Sequence, residues 1–263
     1  TSSASNVSAN STTLSTDSRV FQASFTSGEW FGELNAYAIS DSGLGTTPEW
    51  RASEHIPNHS ARKIYTWKEA TPSSGLTFKW SELTSTQQGS LGSESVVNYL
   101  RGDKSQELQN GGGYRNRTKL LGDIVNSSPY FVADTDTLYV ASNDGMMHAV
   151  DADTGQELFA YVPAALNWSH LKELSDPLYP HYYLVDGEIA VSDRSVTTNK
   201  NILVGALGRG GKALYALDVT DPDNFNAADV AWEFTDSSLG HVLGKPFIAK
   251  LNNGDVGVIV GNG

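Results

Sequence analysis

Residues 128–162 read SPYFVADTDTLYVASNDGMMHAVDADTGQELFAYV, and this stretch decides the fold. It holds four short runs rich in β-branched and aromatic residues, which is the composition of β-strands. The separators are Asp-Thr-Asp, Asn-Asp-Gly and Asp-Thr-Gly, and residues of these types supply the positive φ angles that tight hairpin turns need. Four antiparallel strands in about 35 residues are the size of one propeller blade.

The same pattern returns downstream, so the chain contains an internal repeat. Residues 187–234 contain the runs GEIAVSD, NILVGALG, GKALYALDV and DVAWEF. Aligning residues 147–151 (MHAVD) with residues 214–218 (LYALD) gives an offset of 67 residues. A weaker upstream copy, LNAYAI, covers residues 34–39, and a further unit begins with PFIAKLN at Pro246. Repetition of this kind predicts blades that bury their faces against their neighbours.

We therefore predict an all-β fold, namely a β-propeller of quinoprotein-like, four-stranded antiparallel blades that is incomplete in this chain and carries short helical insertions. The chain is interpreted as the N-terminal portion of one propeller domain, and both ends look cut from something longer. The predicted blade-like units cover about residues 19–80, 123–163, 187–234 and 246–263, and the insertions cover about residues 83–120 and 163–186.

The insertions contain the predicted helices. Residues 83–100 predict one or two short helices, with Ser93 or Ser95 as a cap, and the segment after Pro163 predicts another. Residues 103–114 contain three consecutive glycines and predict a mobile loop.

Two repeated positions have a physical interpretation. Ala36, Ala149 and Ala216 occupy equivalent places, and a methyl group would let neighbouring blades approach closely. Asp151 and Asp218 follow the repeat in two of the copies, where a carboxylate can accept hydrogen bonds from the N–H groups of a turn.

Composition excludes several classes of function. The 263 residues carry a formal net charge of −12, and such a surface would repel nucleic acid and anionic lipid. Cysteine is absent, which excludes a disulfide framework, a thiolate metal site and a cysteine nucleophile. The longest apolar runs are far shorter than the ~20 residues of a membrane-spanning helix, so we expect no membrane span.

Calcium is considered because the aspartates of residues 134–136 and 151–155 lie close together in sequence. Calcium takes about 6 to 8 oxygen ligands, and neither cluster has the spacing of an EF-hand loop. Turn capping is the favoured interpretation here, as it is for Asp218, Asp221 and Asp223. We assign no metal-binding, cofactor-binding or catalytic residue from the sequence.

For three other motifs, a structural role is favoured over a functional site. Residues 205–212 (GALGRGGK) lack the Ser or Thr that follows the lysine of a phosphate loop, so a Gly-rich hairpin is favoured. His55 and His59 have a zinc-like spacing, but the proline between them prevents the helix that would align them. His181 and Asp186 could form a proton-transfer pair, although packing between blades is favoured.

The tripeptide Arg101-Gly102-Asp103 is a candidate receptor-binding motif, because a flexible loop could present its guanidinium and its carboxylate to a partner. In the structural alternative, Arg101 caps the last carbonyls of the preceding helix. A tripeptide is easily matched by chance, so the structural alternative is favoured.

Several longer stretches resemble one family. LLGDIVNSSPYFVA, LYVASNDGMMHAVDADTGQELFAYVP, HYYLVDG and ILVGALGRGGKALYALDV look, in this order, like the C-terminal propeller of PilY-type proteins. These are type IV pilus tip-associated adhesins and biogenesis factors. Upstream, ANSTTLSTDSRVFQASFTSGEWFGEL and YLRGD followed by YRNR also match the family pattern, so the resemblance spans nearly the whole chain.

The resemblance implies a non-enzymatic bacterial protein that is exported to the pilus tip or outer cell surface. It would support pilus assembly and adhesion, with minor pilins, pilus tip proteins, host receptors or abiotic surfaces as partners. The family's calcium loop lies downstream of the final GNG, so no cofactor is expected in this chain.

Two alternatives remain open at this point. A quinoprotein-like dehydrogenase would use pyrroloquinoline quinone and calcium in a related propeller, with a tryptophan stacked on the cofactor. An outer-membrane assembly scaffold would use the same repeats for protein contacts alone.

Overall fold

The computed structural model describes residues 2–9 and 18–262 of the chain. Within these residues the strands form three larger sheets and a separate hairpin, and three short α-helices lie in the connections. This arrangement confirms the predicted all-β class with helical insertions. No helix in the same residues is both long enough and apolar enough to cross a lipid bilayer.

The first sheet is antiparallel and follows the chain. Its strands are β1 (Ser2–Ala9), β2 (Arg19–Thr26), β3 (Phe31–Ser40), β4 (Gly43–Leu44) and β5 (Trp50–Arg51). β1 pairs with β2, β2 pairs with β3, and β3 pairs with both β4 and β5. Buried side chains alternate along β2 and β3, as in strands with one face toward a core, and these are Phe21, Ala23, Leu34 and Ala36.

The second sheet contains the stretch that decides the fold, together with one inserted hairpin. Its strands are β6 (Ile64–Lys68), β7 (Ser74–Thr77), β8 (Tyr130–Val132), β9 (Thr137–Ser142), β10 (Met146–Asp151) and β11 (Glu157–Tyr161). Their order in the sheet is β7-β6-β11-β10-β9-β8. Neighbours are antiparallel except β6 and β11, which pair in parallel.

The third sheet repeats the plan of β8–β11. It consists of β12 (Ile189–Val191), β13 (Ile202–Ala206), β14 (Leu214–Asp218) and β15 (Val230–Phe234), paired antiparallel in chain order. The aligned residues 147–151 and 214–218 fall on the third of the four consecutive strands in their sheets, β10 and β14. A last hairpin is formed by β16 (Phe247–Lys250) and β17 (Val256–Ile259).

The structure divides the first predicted unit, residues 19–80, between two sheets. Residues 19–51 belong to the first sheet, whereas β6 and β7 extend the second sheet beyond β11. Ile64, Tyr65, Thr66 and Trp67 of β6 are all buried, so this strand needs cover on both faces and cannot lie at an open edge. Side chains of α1 (Ser85–Leu91), of α2 (Glu94–Arg101) and of the third sheet belong to the same core cluster as β6.

The helices begin at side-chain caps. α1 (Ser85–Leu91) has a capping box formed by Thr84 and Gln87, and α2 (Glu94–Arg101) begins after Ser93, whose hydroxyl accepts from the N–H of Val96. Of the one or two short helices predicted for residues 83–100, two are present, and Ser93, one of the two predicted caps, precedes the second. α3 (Trp168–Glu173) begins after Asn167, within the predicted helical insertion.

Residues 103–114 form a loop that is closed on itself, in contrast to the mobile loop predicted from their glycines. The backbone N–H of Leu108 donates to the carbonyl of Tyr114, and the N–H of Tyr114 donates to the carbonyl of Gln106, each at 2.8 Å. The fully buried Glu107 carboxylate lies inside the loop and accepts from Nε of Arg117 at 2.8 Å. These contacts supply the local order that glycine composition alone does not indicate.

The repeated alanines lie in the core. Ala36, Ala149 and Ala216 have no solvent exposure, as expected for positions where layers approach closely. Gly205 accommodates a contact within its own sheet, because Tyr215 is its partner on the neighbouring strand β14 and a Cβ atom at Gly205 would lie 2.1 Å from that ring. Large aromatic rings fill the remaining space between the sheets.

Candidate functional site

A buried network of four charged side chains joins the second sheet to the segment before β6. Arg62 donates from Nε and from a terminal nitrogen to the two carboxylate oxygens of Glu157, at 2.7 and 2.8 Å. His148 lies between two carboxylates, with Nδ1 2.8 Å from Glu157 and Nε2 2.8 Å from Asp144. Arg62, Glu157 and His148 expose 3% of their side-chain area or less.

The network carries two positive and two negative charges at neutral pH. Burial alone would lower the pKa of His148, but the carboxylates of Asp144 and Glu157 outweigh it and raise this pKa to about 9. Burial alone would raise the pKa of Glu157, but Arg62 and His148 lower it to about 2. Each buried charge therefore has a partner, and the set fixes the arrangement of segments without offering a free acid or base.

The cavity beside this network is small. Its volume is about 30 Å³, and its lining includes Arg62, Tyr99, Arg115, Asp144 and Tyr179. This volume holds about one water molecule, whereas sites for small-molecule substrates measure about 300 to 1,000 Å³. The network thus has a structural role in holding loops, with no room beside it for a substrate.

His181 pairs with Asp123, not with Asp186. Its Nε2 lies 2.9 Å from Oδ2 of Asp123, while Asp186 accepts from the side-chain amide of Asn126 at 2.6 Å. The His181 ring stacks on Trp30, with 3.9 Å between the ring centroids. Because Trp30 belongs to the turn between β2 and β3, the predicted packing between neighbouring units is confirmed. The alternative proton-transfer pair is not formed.

Arg101 lies inside the protein. It is 3% exposed, and its guanidinium donates to three backbone carbonyls from other segments at 2.8 to 2.9 Å, those of Phe78, His59 and Arg62. The sequence predicts that this side chain is either presented on a loop or caps its own helix. The structure instead uses it to join three separate segments, because a buried guanidinium needs acceptors on several sides.

The rest of the tripeptide turns at the end of α2. Gly102 adopts a left-handed conformation with φ of 116°, and the Asp103 carboxylate accepts from the backbone N–H of Ser105 at 2.8 Å. Asp103 is partly exposed, but the guanidinium of Arg101 is not available beside it. In this arrangement the tripeptide does not present its two charges together to a receptor.

Asp151 and Asp218 cap turns, as predicted. Asp151 accepts from the backbone N–H and the hydroxyl of Thr154, both at 2.7 Å. Asp218 accepts from the hydroxyl of Thr220 at 2.5 Å, and its other oxygen pairs with Lys200 at 2.7 Å. Both aspartates end the aligned strands β10 and β14, so the repeat extends to the chemistry of the following turn.

One of the aspartates considered for calcium, Asp153, forms an ion pair with an arginine. Arg19 of β2 forms an ion pair with Asp153, and a second with Glu49 at 2.6 Å. Burial, followed by the nearby Asp153, raises the pKa of Asp136. The guanidinium therefore provides positive charge between the first and second sheets. In the part of the chain that the structure describes, no group of three or more His, Asp or Glu side chains is arranged to hold a metal ion.

The Gly-rich residues 205–212 form the predicted hairpin. β13 and β14 pair antiparallel on either side of a short turn of 3-10 helix over Gly208–Gly210. Gly208 has a φ of 59° and lies against the backbone of Gly187, so close approach explains the glycine without a phosphate.

Arg62, Asp144 and Glu157 were not predicted from the sequence. Arg62 and Glu157 are 95 residues apart, so no local pattern connects them. A signal was present in His148, a polar residue within the otherwise apolar run MMHAV, because a buried polar side chain requires partners.

Comparison with known proteins identifies the fold family. Residues 131–263 match the family model described as the PilY1 β-propeller domain. A "Type IV pilus biogenesis factor PilY1 homolog" from Xylella fastidiosa is 38% identical over 98% of this chain. A "Type IV pilus biogenesis factor PilY1" from Pseudomonas aeruginosa strain UCBPP-PA14 is 32% identical over 92% of this chain.

The similarity covers most of this chain but a minor part of each relative. The chain spans 23% of the Xylella protein and 25% of the Pseudomonas protein. A crystal structure of the Pseudomonas aeruginosa PilY1 C-terminal domain matches 48% of this chain and 24% of that chain, with 36% identity and a TM-score of 0.37. The repeated four-stranded sheets agree with the family model, and the resemblance seen in the sequence is confirmed: the chain belongs to the PilY1 β-propeller domain family.

Proposed function

We propose that this chain is a non-enzymatic module of a type IV pilus-associated protein, which supports pilus assembly and adhesion to surfaces or host cells. One observation carries the proposal, namely the 38% identity, over 98% of the chain, to a protein named as a type IV pilus biogenesis factor. The proposal concerns a module, because the chain spans 23% of that relative.

The geometry supports a binding role over a catalytic one. Arg62, His148, Glu157 and Asp144 pair with one another in the interior, next to a cavity of about 30 Å³. The sheets form a packed scaffold, while the irregular insertions at residues 83–120 and 163–186 can vary in sequence without disturbing it. A packed scaffold that carries variable loops is suited to recognising other macromolecules.

The proposed partners are minor pilins and other proteins of the pilus tip, with host receptors and abiotic surfaces as further candidates. The proposed location is outside the cell, at the pilus tip or on the outer cell surface. The Arg101-Gly102-Asp103 tripeptide has no part in the proposal, since Arg101 is buried.

The test is removal of the chain from its gene. An in-frame deletion of the codons for residues 18–262 is expected to reduce surface pili and abolish twitching motility, and the intact gene supplied in trans should restore both. Electron microscopy and stab-plate assays measure the two effects. Normal piliation and motility in the deletion strain would contradict the proposal.

The quinoprotein alternative receives no support from the relatives, whose names describe pilus biogenesis factors. Purified chain incubated with pyrroloquinoline quinone and calcium is expected to show no cofactor absorbance after desalting. Retained absorbance together with dye reduction by an alcohol substrate would favour the dehydrogenase instead.

A further inference from the structure

Six aromatic rings form one contiguous cluster, which we call the aromatic belt; five of them are partly exposed and Tyr179 is buried beneath them. Its members are Trp30, His170, Tyr179, His181, Tyr182 and Tyr183. Two pairs are stacked, Trp30 on His181 at 3.9 Å and His170 on Tyr182 at 3.8 Å between centroids. The other neighbouring rings meet edge to face at 5.4 to 6.2 Å. Five of the six rings come from the insertion at residues 163–186.

Two members of the belt have unusual backbone conformations. Trp30 and His181 have φ angles of 55° and 69°, in the left-handed region that non-glycine residues rarely occupy. Non-glycine residues with such conformations are strained and cluster at functional sites. Here the two strained residues stack on each other.

Hydrogen bonds fix the orientation of the rings. Tyr182 donates from its hydroxyl to Glu173 at 2.7 Å and from its backbone N–H to the hydroxyl of Tyr179 at 2.8 Å. His181 is held by Asp123 at 2.9 Å. His170, His181, Tyr182 and Tyr183 are nevertheless partly exposed. A surface whose side chains are already ordered loses less conformational entropy when a partner binds.

Leu178 projects from the loop that carries the belt. It is 87% exposed, although its backbone N–H is fixed by the Asp176 carboxylate at 2.7 Å and prolines 177 and 180 flank it. An exposed leucine on a fixed backbone, next to the rings, is a ready apolar anchor. Burying this side chain in a partner would remove its apolar surface from water, which favours binding.

Two arginines lie over rings of the belt. The guanidinium of Arg115 is 4.9 Å from the Tyr179 ring centroid, and that of Arg209 is 5.2 Å from the Tyr183 ring centroid. In residues 2–9 and 18–262, neither arginine lies within ion-pair distance of a carboxylate, although Nε of Arg115 donates to the carbonyl of Leu174 at 3.0 Å and the charge of Arg209 acts on Asp186. Trp, Tyr and Arg are the residue types that dominate the energetics of protein–protein interfaces.

We infer that the aromatic belt and Leu178 together form the docking surface for a folded protein subunit of the pilus. The partner would offer an apolar pocket to Leu178 and carboxylates to Arg115 and Arg209. A glycan could stack on the rings, but it would leave the leucine in water, so the observations favour a protein. This inference rests on the proposed function and assigns it to particular residues.

The test compares two exposed leucines. Leu178→Ser removes the anchor, and Leu44→Ser is the matched control, since Leu44 is 55% exposed and lies on β4 of the first sheet. The probes are the purified soluble domains of the minor pilins from the same organism, measured by biolayer interferometry. We expect Leu178→Ser to weaken binding at least tenfold and Leu44→Ser to change it less than twofold. Equal urea midpoints would show that both variants fold normally.

Other outcomes separate the inference from the proposed function. If a pilin domain binds the wild-type and Leu178→Ser chains equally, or both leucine variants weaken equally, the inference is overturned while pilin binding stands. If no minor pilin binds the wild-type chain, the proposed partner fails and the inference fails with it. Binding to immobilised chitohexaose that is lost in Tyr182→Ser would replace the protein partner with a glycan.

Discussion

At the scale of single residues, the chain stabilises itself with charges that are buried and paired. Burying a charge costs solvation free energy, and only close partners of opposite charge offset that loss. Arg62 and His148 meet this condition through Glu157, which contacts both. For the same reason, the buried guanidinium of Arg101 donates to three backbone carbonyls in the interior and is not exposed on a loop.

The raised pKa of His148 predicts a loss of stability in alkaline solution. Its pKa rises from 6.5 to about 9 on folding. The stabilisation is therefore complete below pH 6.5 and is lost as the pH rises through 9. We expect the free energy of unfolding to fall by about 1 to 3 kcal/mol over this range. Urea denaturation at several pH values measures the effect.

Replacing His148 by glutamine tests whether this histidine causes the pH dependence of stability. A His148→Gln chain should be less stable at pH 6 but should lose the alkaline slope, because glutamine does not titrate. His55→Gln is the control, since His55 is exposed and should keep the wild-type slope. An unchanged slope in His148→Gln would show that other groups cause the pH dependence.

The sequence predicted the residues that act locally better than those that act over distance. The turn-capping aspartates Asp151 and Asp218 bond to residues two or three positions away, so their role is visible in a short window. Asp144, His148, Glu157 and Arg62 meet only after the strands and loops have assembled. Their selection depends on tertiary contacts, which a single sequence does not display.

At the scale of elements, the position of the β6–β7 hairpin in the second sheet was not predicted from the sequence. The hairpin lies within the predicted blade-like unit of residues 19–80, but the parallel pairing of β6 with β11 joins residues 96 positions apart in the chain. Tyr65 of β6 donates its hydroxyl to the carbonyl of Phe225 at 3.1 Å, and Phe225 stacks on Phe159 at 3.8 Å between centroids. The hairpin therefore links the second sheet to the segment that precedes β15.

Gly75 of β7 tests this link. A Cβ atom at Gly75 would lie 2.0 Å from the carbonyl oxygen of Ala227, so Gly75→Ala must push the hairpin away from the third sheet. We expect the free energy of unfolding to fall by about 1 to 3 kcal/mol, as for overpacking in a core. Chemical denaturation measures the change.

Gly89 of α1 offers the matched control. A Cβ atom at Gly89 would meet nothing within 4 Å, and alanine favours helix, so Gly89→Ala should raise stability by about 0.5 to 1 kcal/mol. If Gly75→Ala were as harmless as Gly89→Ala, the close contact between β7 and the third sheet would be wrong.

At the scale of the whole molecule, the repeated sheets share one plan and differ in how well their faces are covered. β9, β10, β13 and β14 are almost entirely buried, whereas the β16–β17 hairpin exposes large apolar side chains. Phe247 is 63% exposed and Ile259 is 54% exposed. Their exposure matches a blade whose face has no covering layer among the described residues.

This exposed apolar surface predicts self-association of the isolated chain. Exposed apolar patches and unpaired strand edges promote contacts between copies. We expect sedimentation velocity to show concentration-dependent dimers or larger species, reduced severalfold by Phe247→Ser and unaffected by Leu44→Ser. A wild-type chain that stays monomeric at about 100 μM would contradict this prediction.

The most direct measurement of the central claim is the location of the chain on piliated cells. A short peptide tag placed after Asp41, in the exposed turn between β3 and β4, would allow gold labelling with little disturbance of the sheets. The account predicts gold at the ends of pili and on the outer surface, with piliation preserved. Label that stays inside the cells and never associates with filaments would contradict it.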